Sequence, residues 1–173
     1  MDQVGFLRFT ANGKSCLGTS DLNSCTAVAI VSSKAAILAH IAPRPSDRNK
    51  SQATGDDHVK AKMKEVRDLL VEHQSDFTNQ GSDGVLVYAV YQGKVALEDQ
   101  VKIIGAQLNA WKLPTTPVRY QVLEAKQDRG PAKGTVLIDA RGQKPVVWVE
   151  DTLATKAKSV GSSAAESSKS GTR

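Results

Sequence analysis

Cysteine is scarce in this chain. Its 173 residues hold two, Cys16 and Cys25, too few for a disulfide framework at this length, so both are expected to stay reduced. Histidine is nearly as rare. There are three, His40, His58 and His73, and their spacing with the cysteines matches no metal site, so no metal is expected. Aromatic residues make up 5%, and none is interleaved with the basic residues. That argues against a surface on which nucleic-acid bases stack. No apolar run approaches the roughly 20 residues of a membrane helix, so no membrane span is expected. The first residues, MDQVGFLRF, place an acid at position two and no basic stretch before an apolar one. They do not read as a secretory leader, and a cytoplasmic location is expected, with delivery elsewhere as an effector left open.

What is present suits one domain with a full core: 40% apolar and 24% charged residues. Much of the net charge of +5 comes from residues 44–67 and from the last twenty residues. It reads as a solvated helix face and a tail, not as a nucleic-acid interface. From Ala154 onward Ser, Ala, Lys and Gly dominate. The expected division is a domain over 1–153 and a flexible tail over 154–173, which has too little apolar surface to offset its ordering entropy.

Hydrophobic periodicity predicts strands at residues 4–10, 25–31, 35–41, 85–91, 118–124, 136–140 and 146–149. The runs at 25–31 and 35–41 are continuously apolar, as strands buried on both faces are. Residues 56–73 and 97–111 carry apolar residues at spacings of three and four and predict two amphipathic helices, the first capped by Thr54 or Asp56. His58 and His73 fall on that first helix or its ends and are expected to face solvent. Residues 15–24 and 42–57 read as loops, 92–94 as a tight turn, and 141–145 as the turn of a hairpin. Two long helices against six or seven strands give a layered α/β (α+β) sandwich with a mixed sheet.

The chemistry is concentrated in TSDLNSCTAVAIVSSKAAILAHIAP, residues 19–43. Cys25 opens one apolar run and His40 closes the next, with Ser32-Ser33-Lys34 between them. If the two strands pair as a tight antiparallel hairpin, Cys25 and His40 meet. A thiol beside an imidazole is the minimum for nucleophilic attack on a carbonyl. Thr19 and Ser24 are hydroxyl candidates for fixing the imidazole, and backbone amides around Ser24 and Cys25 can face an oxyanion. The spacing alone fits better a core cysteine beside a satisfied core histidine.

Thr19-x-x-Leu22-x-Ser24-Cys25-x-Ala27-Val28, followed by Ala39-His40-x-x-Pro43, resembles the CheD-type chemoreceptor glutamine deamidases. The same Cys-His core recurs in the cytotoxic-necrotizing-factor deamidase toxins. The likeness runs loosely over residues 4–150. It departs from the family at Ser20-Asp21-Leu22-Asn23, where the family turn is richer in glycine, and in the rewritten loop 44–55. The resemblance implies a CheD-like sandwich with Cys25 as nucleophile, His40 as base and Thr19 as its orienting partner. Ser24 would lie at the substrate and oxyanion position. It implies deamidation of glutamine to glutamate in a protein or peptide, through a Cys25 thioester and without a cofactor. Two alternatives stand beside it: an inactive CheD-like interaction protein, and a cysteine hydrolase or acyl transferase acting on another amide such as asparagine.

Overall fold

The computed structural model describes residues 2–155 except 11, 12, 14, 46–53, 79, 80, 125, 126, 128 and 129. In chain order the elements are β1 (Val4–Arg8), β2 (Cys16–Thr19), β3 (Thr26–Val31), β4 (Ala35–Ile41), α1 (Gly55–Glu72), β5 (Asp83–Tyr91) and β6 (Lys94–Val95). There follow α2 (Glu98–Ala110), β7 (Thr115–Gln121), β8 (Val136–Asp139), β9 (Val146–Val149) and β10 (Thr152–Leu153). They build a layered α+β sandwich. One mixed sheet runs β1-β4-β3-β5-β6, with β7 parallel to β5; a smaller one runs β10-β9-β8-β2.

The larger sheet is the middle layer, and the sequence of its central strands says why. Every residue of β3 and β4 is buried. Alternation sends Val28, Ile30, Ile37, Ala39 and Ile41 against α1 and α2, where they pack with Val59, Met63, Val66, Ile104 and Leu108. The other parity, Ala27, Ala29, Val31, Ala36 and Leu38, faces the small sheet and meets Val136, Ile138, Val147 and Val149. The alanines take up little depth on this side, and Thr19 of β2 comes within 2.8 Å of His40 of β4 across the layers.

Most predicted elements stand where the periodicity put them. Thr54 caps α1 through a capping box with Asp57. Gln92 and Gly93 both take positive φ, 49° and 79°, as a two-residue hairpin turn between β5 and β6 requires. Four expectations need correction. Residues 15–24 are not all loop, because β2 pairs with β8 along Cys16–Thr19. A four-residue strand with alternating exposure is too short to register as a pattern. β7 begins three residues early, at Thr115; Pro117 is tolerated because, among the described residues, β5 alone flanks this strand. His58 is buried, its Nε2 2.8 Å from Asp2 Oδ1. His73 is partly covered, stacked on Phe6 with ring centroids 3.7 Å apart. At the C-terminal end, the Ala154 N–H donates to Val147 O at 2.8 Å, and the Val147 N–H donates to Thr155 Oγ1 at 2.9 Å. These bonds carry the described fold to Thr155; the rest of the predicted tail lies outside the described residues, as does most of the loop 44–55.

Candidate active site

β3 and β4 are antiparallel neighbours, with Ala27 paired to His40 and Thr26 to Ile41. Cys25 immediately precedes β3, two residues from Ala27. Alternation puts Cys25 on the face that carries Ala27 and His40, and it packs against the cluster between the two sheets. Cys25 and His40 are therefore diagonal neighbours, a relation that spans roughly 7–8 Å between Cα atoms and lies within reach of long side chains. Ala27, directly opposite His40, is small enough to leave both side chains room.

The third residue arrives from the other sheet. Thr19 ends β2, and its Oγ1 lies 2.8 Å from His40 Nδ1. The contact bridges the layers: the histidine belongs to the middle sheet and the threonine to the outer one. His40 is 3% exposed. Its backbone N–H donates to Gln3 O at 2.8 Å, which fixes the strand under it. Its Nε2 is buried and has no hydrogen-bond partner among the described residues. The thiol and the imidazole thus share a face without a hydrogen bond at Nε2, a looseness common in unliganded sites. Burial depresses the His40 pKa, and the carboxylates of Asp2 and Asp21 offset this only in part. The ring is neutral at neutral pH, with a lone pair to accept a proton.

The turn that carries Cys25 is held under strain. Asp21 and Ser24 have φ of 62° and 93°, the second uncommon for any residue with a side chain. Leu22 is buried and donates its N–H to Gly134 O at 3.0 Å. A side chain at Gly134 would meet Leu22 O at 2.6 Å, so glycine is needed there for backbone to lie on backbone. Tyr120 of β7 completes the clamp. Its Oη accepts the Ser24 N–H at 2.9 Å and donates to Cys25 O at 2.7 Å, while Asn23 Oδ1 accepts the Leu123 N–H at 3.0 Å.

This corrects one expectation. The Ser24 amide is taken by Tyr120, so it does not face an oxyanion in this structure. Ser24 instead lines a cleft of about 610 Å³ with Pro43, Tyr91, Lys94, Leu97 and Val122. Thr19 and His40 meet at 2.8 Å, and the strand register puts Cys25 on the face that carries His40. Tyr120 was legible only as a buried position of an alternating strand; nothing in its neighbourhood marks the reach of its hydroxyl to residues 96 and 95 positions earlier. Asp2 was missed likewise. It accepts the Ala42 N–H at 3.0 Å and bonds His58, tying the end of β4 to α1.

Cys16 lies at the other end of β2, exposed, with its Sγ 3.6 Å from Asp139 Oδ1. It forms no disulfide with Cys25. Among the described residues no group of three or more His, Cys, Asp or Glu side chains could hold a metal ion, and no helix is long and apolar enough to cross a membrane. No protein-family model matches the chain, and no curated protein matches it.

Proposed function

We propose that this protein is a CheD-like amidohydrolase that converts glutamine side chains of a protein or peptide to glutamate. The carrying observation is the Thr19–His40 hydrogen bond at 2.8 Å on a histidine that shares a sheet face with Cys25. Any buried histidine needs polar partners; here one ring nitrogen is bonded from the second sheet and the other is left over among the described residues, which is the arrangement a general base needs. With Thr19 accepting from Nδ1–H, the Nε2 lone pair is left to take the thiol proton. The thiolate attacks the amide carbon, and collapse of the tetrahedral adduct breaks the C–N bond. The imidazolium returns its proton to the leaving nitrogen, which departs as ammonia. Water then gives a proton to Nε2 and its oxygen attacks the thioester carbon. The C–S bond breaks, the thiolate regains its proton, and the acid is released.

The cleft beside Ser24 suits the substrate chain, with apolar walls from Tyr91, Leu97 and Val122 and one ammonium from Lys94. The test is ammonia release from a glutamine-bearing protein such as casein, with the mass gain of amide-to-acid conversion in the product. Both should vanish in Cys25→Ala. Conversion of asparagine instead of glutamine would move the reading to the other amide.

One observation favours the interaction-protein alternative: the Ser24 amide is committed to Tyr120 and offers an oxyanion nothing. Ammonia release by the wild type decides against that alternative. Its absence, with retained binding of the same protein, decides for it.

A further inference from the structure

The apolar stripes of the two helices run on past the surface they bury. α1 buries Val59, Met63 and Val66. Its stripe continues at Leu70, which is only partly covered, and at Val71, which is 62% exposed. α2 repeats the pattern: Ile104 and Leu108 are buried, and Trp111, at its C-terminal cap, is half-covered. These unfilled ends wall a pocket of about 430 Å³. Arg67, Leu70, Val71 and Gln74 line it from α1 and the turn after it, Phe77 from the loop beyond, and Trp111 from the end of α2. The first four stand at positions i, i+3, i+4 and i+7, so they share one side. The volume falls in the range of small-molecule sites, roughly 300–1,000 Å³. The pocket belongs to the helix side of the large sheet, whereas Cys25 and His40 share the face turned to the small sheet.

The charge in the wall has one sign. Among the described residues Arg67 is the one charged side chain that lines the pocket, and it has no ion-pair partner. The neighbouring cations of α1 are matched, Lys62 to Glu65 at 3.0 Å and Lys64 to Asp68 at 2.7 Å. A guanidinium stays charged at ordinary pH, and its planar fork fits the oxygens of a carboxylate or phosphate. The last carbonyls of α1 and α2 carry negative partial charge and oppose an anion, but that effect fades within the final turn. Arg67 stands more than a turn before the end of α1 at Glu72. An anionic end therefore belongs at Arg67 and an apolar body toward the helix ends.

We propose that this pocket binds a small aromatic anion, its ring against Val71, Phe77 and Trp111 and its charged oxygens on Arg67. The two aromatic side chains in the wall favour a ring over an alkyl chain, because aromatic pairs gain energy beyond the area they bury. The inference does not depend on the hydrolase reading.

The probe is anilinonaphthalene sulfonate, an aromatic body with one negative charge. Its control is N-phenylnaphthylamine, the same rings without the charge. Fluorescence titration gives both affinities. One saturable site is expected, with the anion bound about three- to tenfold more tightly than the neutral dye. Arg67→Gln should erase that preference by weakening the anion alone. Gln74→Glu, isosteric and exposed, puts a negative charge in the same wall and should do likewise. Both positions are at the surface, so the melting curves should not move; if one variant melts early, the other carries the test. The exposed Trp148 of the small sheet offers the dye a competing surface. The indole N–H resonances separate the two places, with Trp148→Phe assigning them. The anion should shift the Trp111 signal and leave that of Trp148 in place. A preference that survives the substitutions, or a shift confined to Trp148, overturns the site. Equal affinity for the two dyes overturns the anionic class, and the absence of saturable binding overturns the proposal altogether.

Discussion

The phenol of Tyr120 holds the backbone on both sides of the Ser24–Cys25 peptide bond, 2.9 Å from the Ser24 nitrogen and 2.7 Å from the Cys25 carbonyl oxygen. One side chain from a distant strand thus sets where the thiol stands. Tyr120→Phe keeps the ring in the core and removes both bonds. It removes one hydrogen bond from the Cys25 carbonyl and one from the Ser24 amide, at a cost of about 1–3 kcal/mol each where the group stays dry. The expected result is a lower melting temperature together with a large loss of Cys25 reactivity. A variant that melts as wild type and reacts as wild type would show that the loop holds its shape without the clamp.

Ser24 bears the strain of that clamp, with φ at 93°. Glycine adopts such a backbone without steric cost, so Ser24→Gly is expected to stabilise the fold by about 1 kcal/mol by relieving the strain. The flexibility glycine adds to the unfolded chain works the other way. Equilibrium unfolding in urea measures the difference. A destabilised Ser24→Gly would mean that the side chain contributes more than its backbone costs.

Thr19→Val removes the hydroxyl and keeps the volume. His40 then loses its partner at Nδ1 and keeps its lone pairs. Turnover is expected to fall, though by less than the hundredfold or more expected for His40→Gln, which removes the proton acceptor itself. The ratio of the two kcat values is the measurement. Equal losses would give Thr19 a role beyond orientation, such as contact with substrate. Cys16→Ser is expected to change neither step, since Cys16 is on the far end of β2 beside Asp139.

Stability should carry the signature of a buried neutral imidazole. The His40 pKa is depressed by burial, so just below the ordinary histidine value of about 6.5 the unfolded chain binds more protons than the folded one. Stability therefore rises with pH through that window. It is full above the ordinary value and is lost as the pH falls toward the folded pKa. Burial works to raise the Asp2 pKa, but the Ala42 amide and His58 more than offset it, and the net shift is downward. The stability from Asp2 is present above the ordinary carboxylate value and is lost only at more acid pH. Urea titrations from pH 7 to 5 should show the first loss in the wild type and a flatter profile in His40→Gln. Identical slopes would locate the titrating group elsewhere.

The sequence disclosed the parts of this molecule that obey a period. The alternating parities of β3 and β4 and the apolar stripes of α1 and α2 are local patterns, and the tight turn at Ser32–Lys34 forces Ala27 against His40. What stayed hidden depends on contacts between distant segments. β2 is four residues long and owes its existence to β8, more than a hundred positions later. His58 looked like a solvated helix residue because Asp2, which covers it, comes from the other end of the domain. Tyr120 obeyed its strand pattern, and only the folded chain shows where its hydroxyl goes. Thr19 and Ser24 were both candidates for the hydroxyl beside His40, and only the folded chain shows that Thr19 is the one at Nδ1.

Reactivity of the thiol itself separates a nucleophile from a packing residue. Cys25 is half-buried, next to Ser24, which lines an open cleft. Alkylation proceeds through the thiolate, not the thiol, and the proposed source of that thiolate is proton transfer to His40. In the Cys16→Ser background, iodoacetamide is therefore expected to label one site, Cys25, rapidly near neutral pH. His40→Gln should slow that labelling while leaving the melting curve cooperative. Thr19→Val should slow it less, in the same order as its effect on turnover. Because the His40 pKa lies below the ordinary value, the neutral ring and with it the labelling should persist to slightly acid pH before falling. Rates that follow His40 in this way tie the thiol to the imidazole. A Cys25 that is alkylated only after denaturation, or at a rate indifferent to His40, is core packing, and the protein is then a binding scaffold.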